Sequence, residues 1–281
     1  MEEVLCFTSV LTFVLVWLML IGHYPVMSII LSPAEGISLA GPLVSVITIV
    51  YNDVNNLEAT ILSVLKQNYH NIEYVIIDGG SDDGTVDLLE KYEDRIAYWI
   101  SAKDNGISDA FNKGLAASNG EIINFLNSAD MFAQKDSVAT CARHFMDDSV
   151  NIVTAYAKHQ NSTIPKRPIE NSAPLYRKAK ISHQASFVRR KVFKKVGGFS
   201  EQRKIRMDYD FWLRALRQYE FVFEPEVLVT YAEGGISGQK VSLFYLEEAL
   251  SNLKWLPFST FLYRLPLQIK RLLANWIRLR F

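Results

Sequence analysis

Residues 4–21 read VLCFTSVLTFVLVWLMLI, eighteen positions without a charge. At 1.5 Å rise per residue, a helix of that length spans roughly 27 Å, close to the hydrocarbon thickness of a bilayer. A core helix of a soluble domain would carry a polar stripe, and only Thr8, Ser9 and Thr12 interrupt this run. Glu2 and Glu3 stand where a cleaved signal peptide has its basic segment, which favours a membrane anchor over residues 4–22. Residues 23–42 carry Pro25, Pro33, Gly36, Gly41 and Pro42 and read as a linker.

Four short apolar runs follow, and each stops in a polar cluster. LVSVITIV (43–50) runs into Tyr51-Asn52-Asp53, and YVII (74–77) into Asp78-Gly79-Gly80-Ser81. IAYWI (96–100) runs into Ser101-Ala102-Lys103-Asp104, and IINFL (122–126) into Asn127-Ser128-Ala129-Asp130. Their length and β-branched content predict buried strands. Helical spacing separates them: Leu57, Ile61, Val64 and Leu65 share one face after a capping pattern at Asn55 and Glu58. Thr85 and Ser108 are candidate caps for two further helices. Alternating strands and helices predict an α/β fold, a doubly wound and mostly parallel sheet with helices on both faces.

In such a sheet the ligand crevice lies outside the carboxyl ends of the strands, where all four polar clusters fall. One Asp after one strand is commonly a turn or cap residue; four clusters at one edge favour a polar site. GGSDDG lacks the spacing of the dinucleotide fingerprint, and no Walker A sequence occurs. The chemistry left is a metal-bridged site or one for a base and ribose.

Charge changes the picture in two places. Formal net charge is zero. Yet residues 158–206 hold 14 Lys and Arg against Glu170 and Glu201, and residues 249–281 hold six against no acid. Both regions attract anions. Cys6 and Cys141 are the only cysteines, too few for a disulfide framework or a Cys-rich metal site. The basic residues form no recognised nucleic-acid-binding motif, so no nucleic acid is expected as a partner.

Seven segments resemble the family 2 glycosyltransferases and occur in that family's order. They are VSVITIVYN (44–52), IIDGGSDDGT (76–85), DNGISDAFNKG (104–114), GEIINFLNSAD (120–130), ISHQASFVRR (181–190), GGF (197–199) and MDYDFWLR (207–214). The DGGS variant is similar to enzymes of bacterial surface-polysaccharide assembly. The resemblance implies a GT-A fold over 43–237 and inverting transfer from a nucleotide diphosphate sugar to an acceptor hydroxyl. It implies Asp208 as the catalytic base, with Asp210 in a supporting role. Asn52, Asp78, Asp104, Asp109 and Asn112 fall in regions that line the family's nucleotide pocket. His183 is a candidate hydrogen-bond donor to diphosphate or acceptor. The motif that holds the family's divalent metal, Mg or Mn, reads Asn127-Ser128-Ala129-Asp130 here, leaving Asp130 as the one carboxylate able to bind it. Gly79 also stands where many relatives carry a second Asp. A weak metal would leave the diphosphate to basic residues such as Arg189, Arg190, Lys191, Arg203, Lys204 and Arg206.

Residues 238–281 form a basic, amphipathic tail in which Pro257 and Pro266 are expected to break regular structure. Its last piece, 267–281, is too basic and too short to span a bilayer and reads as an interfacial helix, with packing on the catalytic domain as the competing reading. The expected setting is a membrane, with the catalytic domain on the cytoplasmic face and a lipid-linked or polysaccharide acceptor. A nucleotidyltransferase and a non-catalytic binding module remain open: the first lacks an early basic phosphate loop, the second has no use for Asp208. No Q-x-x-R-W sequence follows Arg214, which favours addition of a single sugar over chain extension.

Overall fold

A computed structural model describes residues 41–232 and 240–278. The expected anchor at 4–22 and nearly all of the linker lie outside those residues. Among the described residues, no helix is long and apolar enough to cross a membrane.

The elements run β1 (Val44–Val50), α1 (Val54–Leu65), β2 (Ile72–Asp78), α2 (Thr85–Lys91), β3 (Tyr98–Ser101), α3 (Ile107–Ala117), β4 (Ile122–Phe125), β5 (Met131–Phe132) and α4 (Ser137–Ala142). They continue β6 (Ile152–His159), β7 (Ser162–Ile164), α5 (Leu175–Lys178), β8 (Ser186–Arg189), α6 (Arg190–Val196), α7 (Met207–Ala215), β9 (Val222–Thr230), α8 (Val241–Trp255) and α9 (Phe258–Arg278). The strands form one sheet in the order β3-β2-β1-β4-β8-β6-β9-β5, with β7 beside β6. β3, β2, β1 and β4 are parallel, as the βα alternation requires. β8 then runs antiparallel between β4 and β6.

Strand periodicity builds a core on each face. Val44, Val46 and Val50 of β1 pack with Leu57 and Ile61 of α1, Leu89 of α2 and Val138 of α4. Ile47, from the other face of β1, packs with Phe111 of α3, Phe193 of α6, and Phe211 and Trp212 of α7. Polar residues inside the strands bond across the sheet: Thr48 donates to Leu126 O at 2.7 Å, and Asn124 Nδ2 donates to Gln184 O and Ser186 O.

Helix starts depart from the sequence expectation. α1 is preceded by Asp53 rather than capped at Asn55; Asp53 makes no cap bond of its own, and Asp83 Oδ2 accepts from Val54 N at 3.0 Å. α3 begins at Ile107 after Gly106, whose φ of +110° suits glycine. Ser108 instead donates to the carbonyls of Ser200 and Arg203, tying α3 to the segment before α7.

The C-terminal helices belong to the same compact unit as the sheet, Ala40–Phe281. α8 is bolted to α7 by buried polar contacts. Asp210 accepts from Trp255 Nε1 at 2.9 Å, Ser251 Oγ at 3.2 Å and Arg214 Nε at 3.1 Å. Tyr209 donates to Asn252 Oδ1 at 2.8 Å. Pro266 sits inside α9 without ending it, contrary to the expected break. A single missing N–H is tolerated where the rest of a strongly amphipathic helix packs on a partner.

Candidate active site

The loops after β1, β2, β3 and β4 lie side by side and are stitched together. Asn52, at φ +49°, accepts from Asp82 N at 3.0 Å through Oδ1, and its own N–H donates to Ser81 Oγ at 2.7 Å. Left-handed backbone is well suited to Asn. Asp53 accepts from Ser128 Oγ at 2.7 Å, joining the first loop to the fourth. A Cβ on Gly79 would lie 2.8 Å from Asp104 Oδ2 and 3.2 Å from the Tyr51 ring, so the second and third loops touch there. The missing Asp at 79 is thus matched by the Asp104 carboxylate, which reaches into the space a side chain would fill.

The acids of this edge divide into structural and available groups. Asp78 is fully buried and accepts from Gly80 N, Ser81 N, Ser81 Oγ and Ser101 Oγ. Both its oxygens are spent on shaping the loop. Asp109 accepts from Asn105 N and pairs with Lys113 at 3.0 Å, which hold its carboxyl below the ordinary range. Asn112 is committed at both ends, donating to Phe199 O at 2.9 Å and accepting from Phe199 N at 2.8 Å. Asp78 and Asn112 are thus engaged by the fold, whereas Asp109 is held through Oδ2 alone. Asp104 uses only Oδ1, which accepts from Gly106 N at 2.8 Å. Asn52 and Tyr51 are exposed at the same edge.

A second group gathers where β4 ends and β8 begins. Asp130 is buried, accepting from Ala232 N and Gln184 Nε2, each at 3.0 Å. Burial pushes its carboxyl up to about 7 against the pull of those hydrogen bonds. Gln184 accepts from Tyr231 OH at 2.7 Å, and that hydroxyl also meets Ser182 Oγ at 2.6 Å. Burial raises the Tyr231 phenol well above its ordinary value, and the Asp130 and Asp208 carboxylates add to the rise. His183 lies in an aromatic cage, stacked on Phe125 and edge-on to Phe199 and Trp212. Neither ring nitrogen has a partner among the described residues. Burial drives its imidazole down to about 4, the Asp208 charge pulling weakly upward.

Asp208 is the first residue after Met207 in α7 and is part-exposed. Its Oδ1 accepts from Tyr209 N at 2.6 Å and lies 3.7 Å from Arg206 Nη1. Oδ2 is left without a hydrogen bond among the described residues. A carboxylate fixed by one oxygen, with the other open at a helix N-terminus, suits proton abstraction.

The basic residues divide by the direction of β8. Because β8 is antiparallel to β4, it starts at the site edge with His183-Gln184 and finishes at the opposite edge, where Arg189 pairs with Ile122. Arg189 there binds Glu121 and the carbonyls of Phe145 and Val150, and Arg190 binds Gly120 O and Ser118 Oγ. These arginines, expected near the diphosphate, hold the far end of the sheet. Arg203 donates to Ser251 Oγ, and only Arg206 of the stretch contacts Asp208.

Among the described residues, no three His, Cys, Asp or Glu side chains form a metal-binding cluster. Asp130 alone fits the implied metal. It is a buried carboxylate with no cation against it, and each oxygen keeps a lone pair free beside its single hydrogen bond.

Residues 45–212 match the Glycosyl transferase family 2 profile. The chain belongs to that family. An uncharacterized glycosyltransferase of Mycobacterium tuberculosis is 34% identical to this glycosyltransferase over 208 residues, 72% of this chain and 79% of the relative. A PGL/p-HBAD biosynthesis glycosyltransferase of Mycobacterium bovis is 27% identical over 229 residues, 79% of this chain and 87% of that protein. Among solved structures, S. aureus TarS 1–349 in complex with UDP-GlcNAc superposes with a TM-score of 0.60 at 20% identity, covering 76% of this chain and 67% of that one. This glycosyltransferase spans 40% of the longer TarS chain. The mannosyltransferase PcManGT from Pyrobaculum calidifontis, in complex with GDP-Man and Mn2+, gives 0.59 at 16% identity over 84% of this chain and 76% of its own. These likenesses establish the GT-A-like fold.

Tyr231 and Gln184 were invisible as site residues in the sequence. Tyr231 follows a plain strand, and only the pairing of β9 with β5 and β6 brings it to Asp130.

Proposed function

We propose that this enzyme transfers a single sugar, with inversion, from a nucleoside diphosphate sugar to a hydroxyl of a lipid-linked or polysaccharide acceptor. The observation that carries the reading is Asp208, at the start of α7: one oxygen is held, and the other has no hydrogen bond among the described residues. The acceptor oxygen attacks the anomeric carbon and its proton passes to Asp208 Oδ2. The bond from that carbon to the phosphate oxygen breaks, and its electron pair leaves with the nucleoside diphosphate. His183, neutral at physiological pH and with both ring nitrogens buried, packs as an uncharged ring. Asn52, Tyr51 and Asp104 face the nucleoside, while Asp78, Asp109 and Asn112 set the loops that present them. A divalent cation held by Asp130 would neutralise the diphosphate. The complexes of TarS with UDP-GlcNAc and of PcManGT with GDP-Man supply the donors to try first.

The setting proposed is a membrane surface on the cytoplasmic side, with residues 4–22 as anchor. Supporting it, α8 and α9 expose Leu246, Leu250, Leu253, Phe258, Leu262, Leu267, Ile269 and Leu273. Exposed Lys254 and Lys270 lie among them, the mixture an interfacial helix needs.

The test is nucleoside diphosphate release from UDP-GlcNAc and GDP-Man by the full chain in detergent with a membrane lipid extract. Removing a general base costs about 10²–10⁴-fold in rate. Asp208→Asn should therefore lose transfer while donor affinity stays within about three-fold. A fully active variant removes Asp208 from the mechanism, and a chelator arm reads the contribution of the cation.

A further inference from the structure

Next to Asp208, through Arg206, four cations surround one buried carboxylate. Glu248 of α8 lies 3.3 Å from Arg264 Nη2, 3.7 Å from Arg206 Nη2, 3.8 Å from Arg271 Nη1 and 3.9 Å from Lys180 Nζ. Among the described residues, Arg206 has one further acid, Asp208, and the other three have none within 4 Å. Four positive charges against two negative ones leave a surplus of two. Burial, aided by the three guanidinium groups, holds the Lys180 ammonium below its ordinary value, with Glu248 pulling the other way.

The cluster has a floor and a rim. Arg264, Arg206 and Glu248 form the floor, with side chains 6%, 13% and 3% exposed. Lys180 and Arg271 form the rim at 42% and 33%. The floor has unused donors: Arg206 Nε and Arg264 Nε are buried with no hydrogen-bond partner among the described residues. Gln268, one turn beyond Arg264 on the same face of α9 and only 2% exposed, likewise has a donor, Nε2, and an acceptor, Oε1, without partners among the described residues. Buried donors without partners are costly and call for an occupant. The arginine planes are held on aromatic rings, Arg206 on Tyr209 and Phe244, Arg264 on Tyr176. Such fixed forks suit the tetrahedral oxygens of a phosphate.

We infer that Lys180, Arg206, Arg264, Arg271 and Gln268 form a phosphate subsite, and that it takes the phosphate or diphosphate ester of the acceptor. This rests on the glycosyl-transfer reading and narrows its acceptor to a phosphorylated one. Arg206 bridges the subsite to Asp208, 3.7 Å from each acid, so a phosphate seated here lies about one guanidinium away from the base. A lipid chain leaving by the rim meets the exposed apolar residues of α9.

The test uses the full chain in detergent and equilibrium dialysis with tritiated farnesyl diphosphate, farnesol as the neutral control, and excess UDP to fill the donor site. The wild type should bind the diphosphate at least ten-fold tighter than farnesol. The rim double variant Lys180→Gln/Arg271→Gln should lose about ten-fold, the equivalent of one charge-assisted hydrogen bond. Competition by inorganic pyrophosphate identifies soluble phosphate as the natural source, and competition by phosphatidylglycerol vesicles a lipid headgroup. Competition by neither supports the lipid-linked ester, whereas competition by either overturns the assignment to the acceptor. Equal binding of farnesol and its diphosphate, or an unchanged affinity in the double variant, overturns it. A protein that binds neither UDP nor GDP in the preliminary titration undermines the glycosyl-transfer reading instead, separately from the phosphate result.

Discussion

Glu247 should set the position of Asp208 without touching it. Its side chain is buried, and its two oxygens accept three consecutive backbone N–H groups: Lys204 at 2.8 Å, Ile205 at 2.9 Å and Arg206 at 2.9 Å. That segment leads directly into α7 and Asp208. Each hydrogen bond to a charged group contributes about 1.5–3 kcal/mol, so three sum to roughly 4–9 kcal/mol before water replaces any of them. Ile205 is buried, while Lys204 is exposed and Arg206 intermediate. Water can therefore recover part of the loss, and Glu247→Ala should destabilise by about 3–5 kcal/mol in urea unfolding. Glu247→Gln keeps one acceptor oxygen for two of the donors and turns an NH₂ toward the third. It should fold, at about 1–3 kcal/mol lower stability, and show a kcat at least ten-fold lower with donor KM near the wild-type value. An alanine variant within about 1 kcal/mol of wild type would refute the structural part. A glutamine variant that is destabilised yet turns over at the wild-type rate would refute the link to Asp208.

His183, at about 4 in the folded protein against 6.5 for a free imidazole, takes up its proton earlier in the unfolded chain. Stability should therefore fall as pH drops from about 6.5 to about 4, by roughly 3 kcal/mol, and stay level on this account above that window. His183→Phe should flatten that part of the curve, and parallel curves for the two proteins would contradict the assignment. At Gly114 a Cβ would lie 2.4 Å from Ile47 Cγ2, in the core between α3 and β1. Gly114→Ala should cost about 1–3 kcal/mol through overpacking, read as a lower urea midpoint at unchanged slope. Gly79→Ala should push against Asp104 and Tyr51 and weaken UDP-GlcNAc binding by about ten-fold, measured by calorimetry; unchanged affinity would put the donor elsewhere.

The parallel half of the sheet was legible because β1, β2 and β4 are short apolar runs with turn chemistry at their ends. β3 was less sharply placed, starting at Tyr98 rather than Ile96, since its exposed positions blur the pattern. The antiparallel insertion of β8 was not legible: nothing in ISHQASFVRR tells which end meets the ligand edge. Hence His183 and Arg189, six residues apart, were assigned to one place while the sheet separates them by a strand's length. Asn112 reads as a pocket residue beside the acids of its loop, yet its amide matches the backbone of Phe199, a partner 87 residues away. The tail reads as a separate amphipathic element because exposed Leu and Lys dominate it. Its docking residues are polar ones, Glu247, Ser251 and Asn252, which periodicity discounts.

The family profile ends at residue 212, some thirty positions before α8 begins. A biochemist trimming the chain to that boundary, or removing the greasy C-terminal helices to improve solubility, would cut away the clamp on residues 204–206 along with Trp255 and Ser251. Such a fragment would keep all but the last two residues of its family's segments and lose the rigidity of its base, so a dead truncation would say nothing about what the whole chain catalyses.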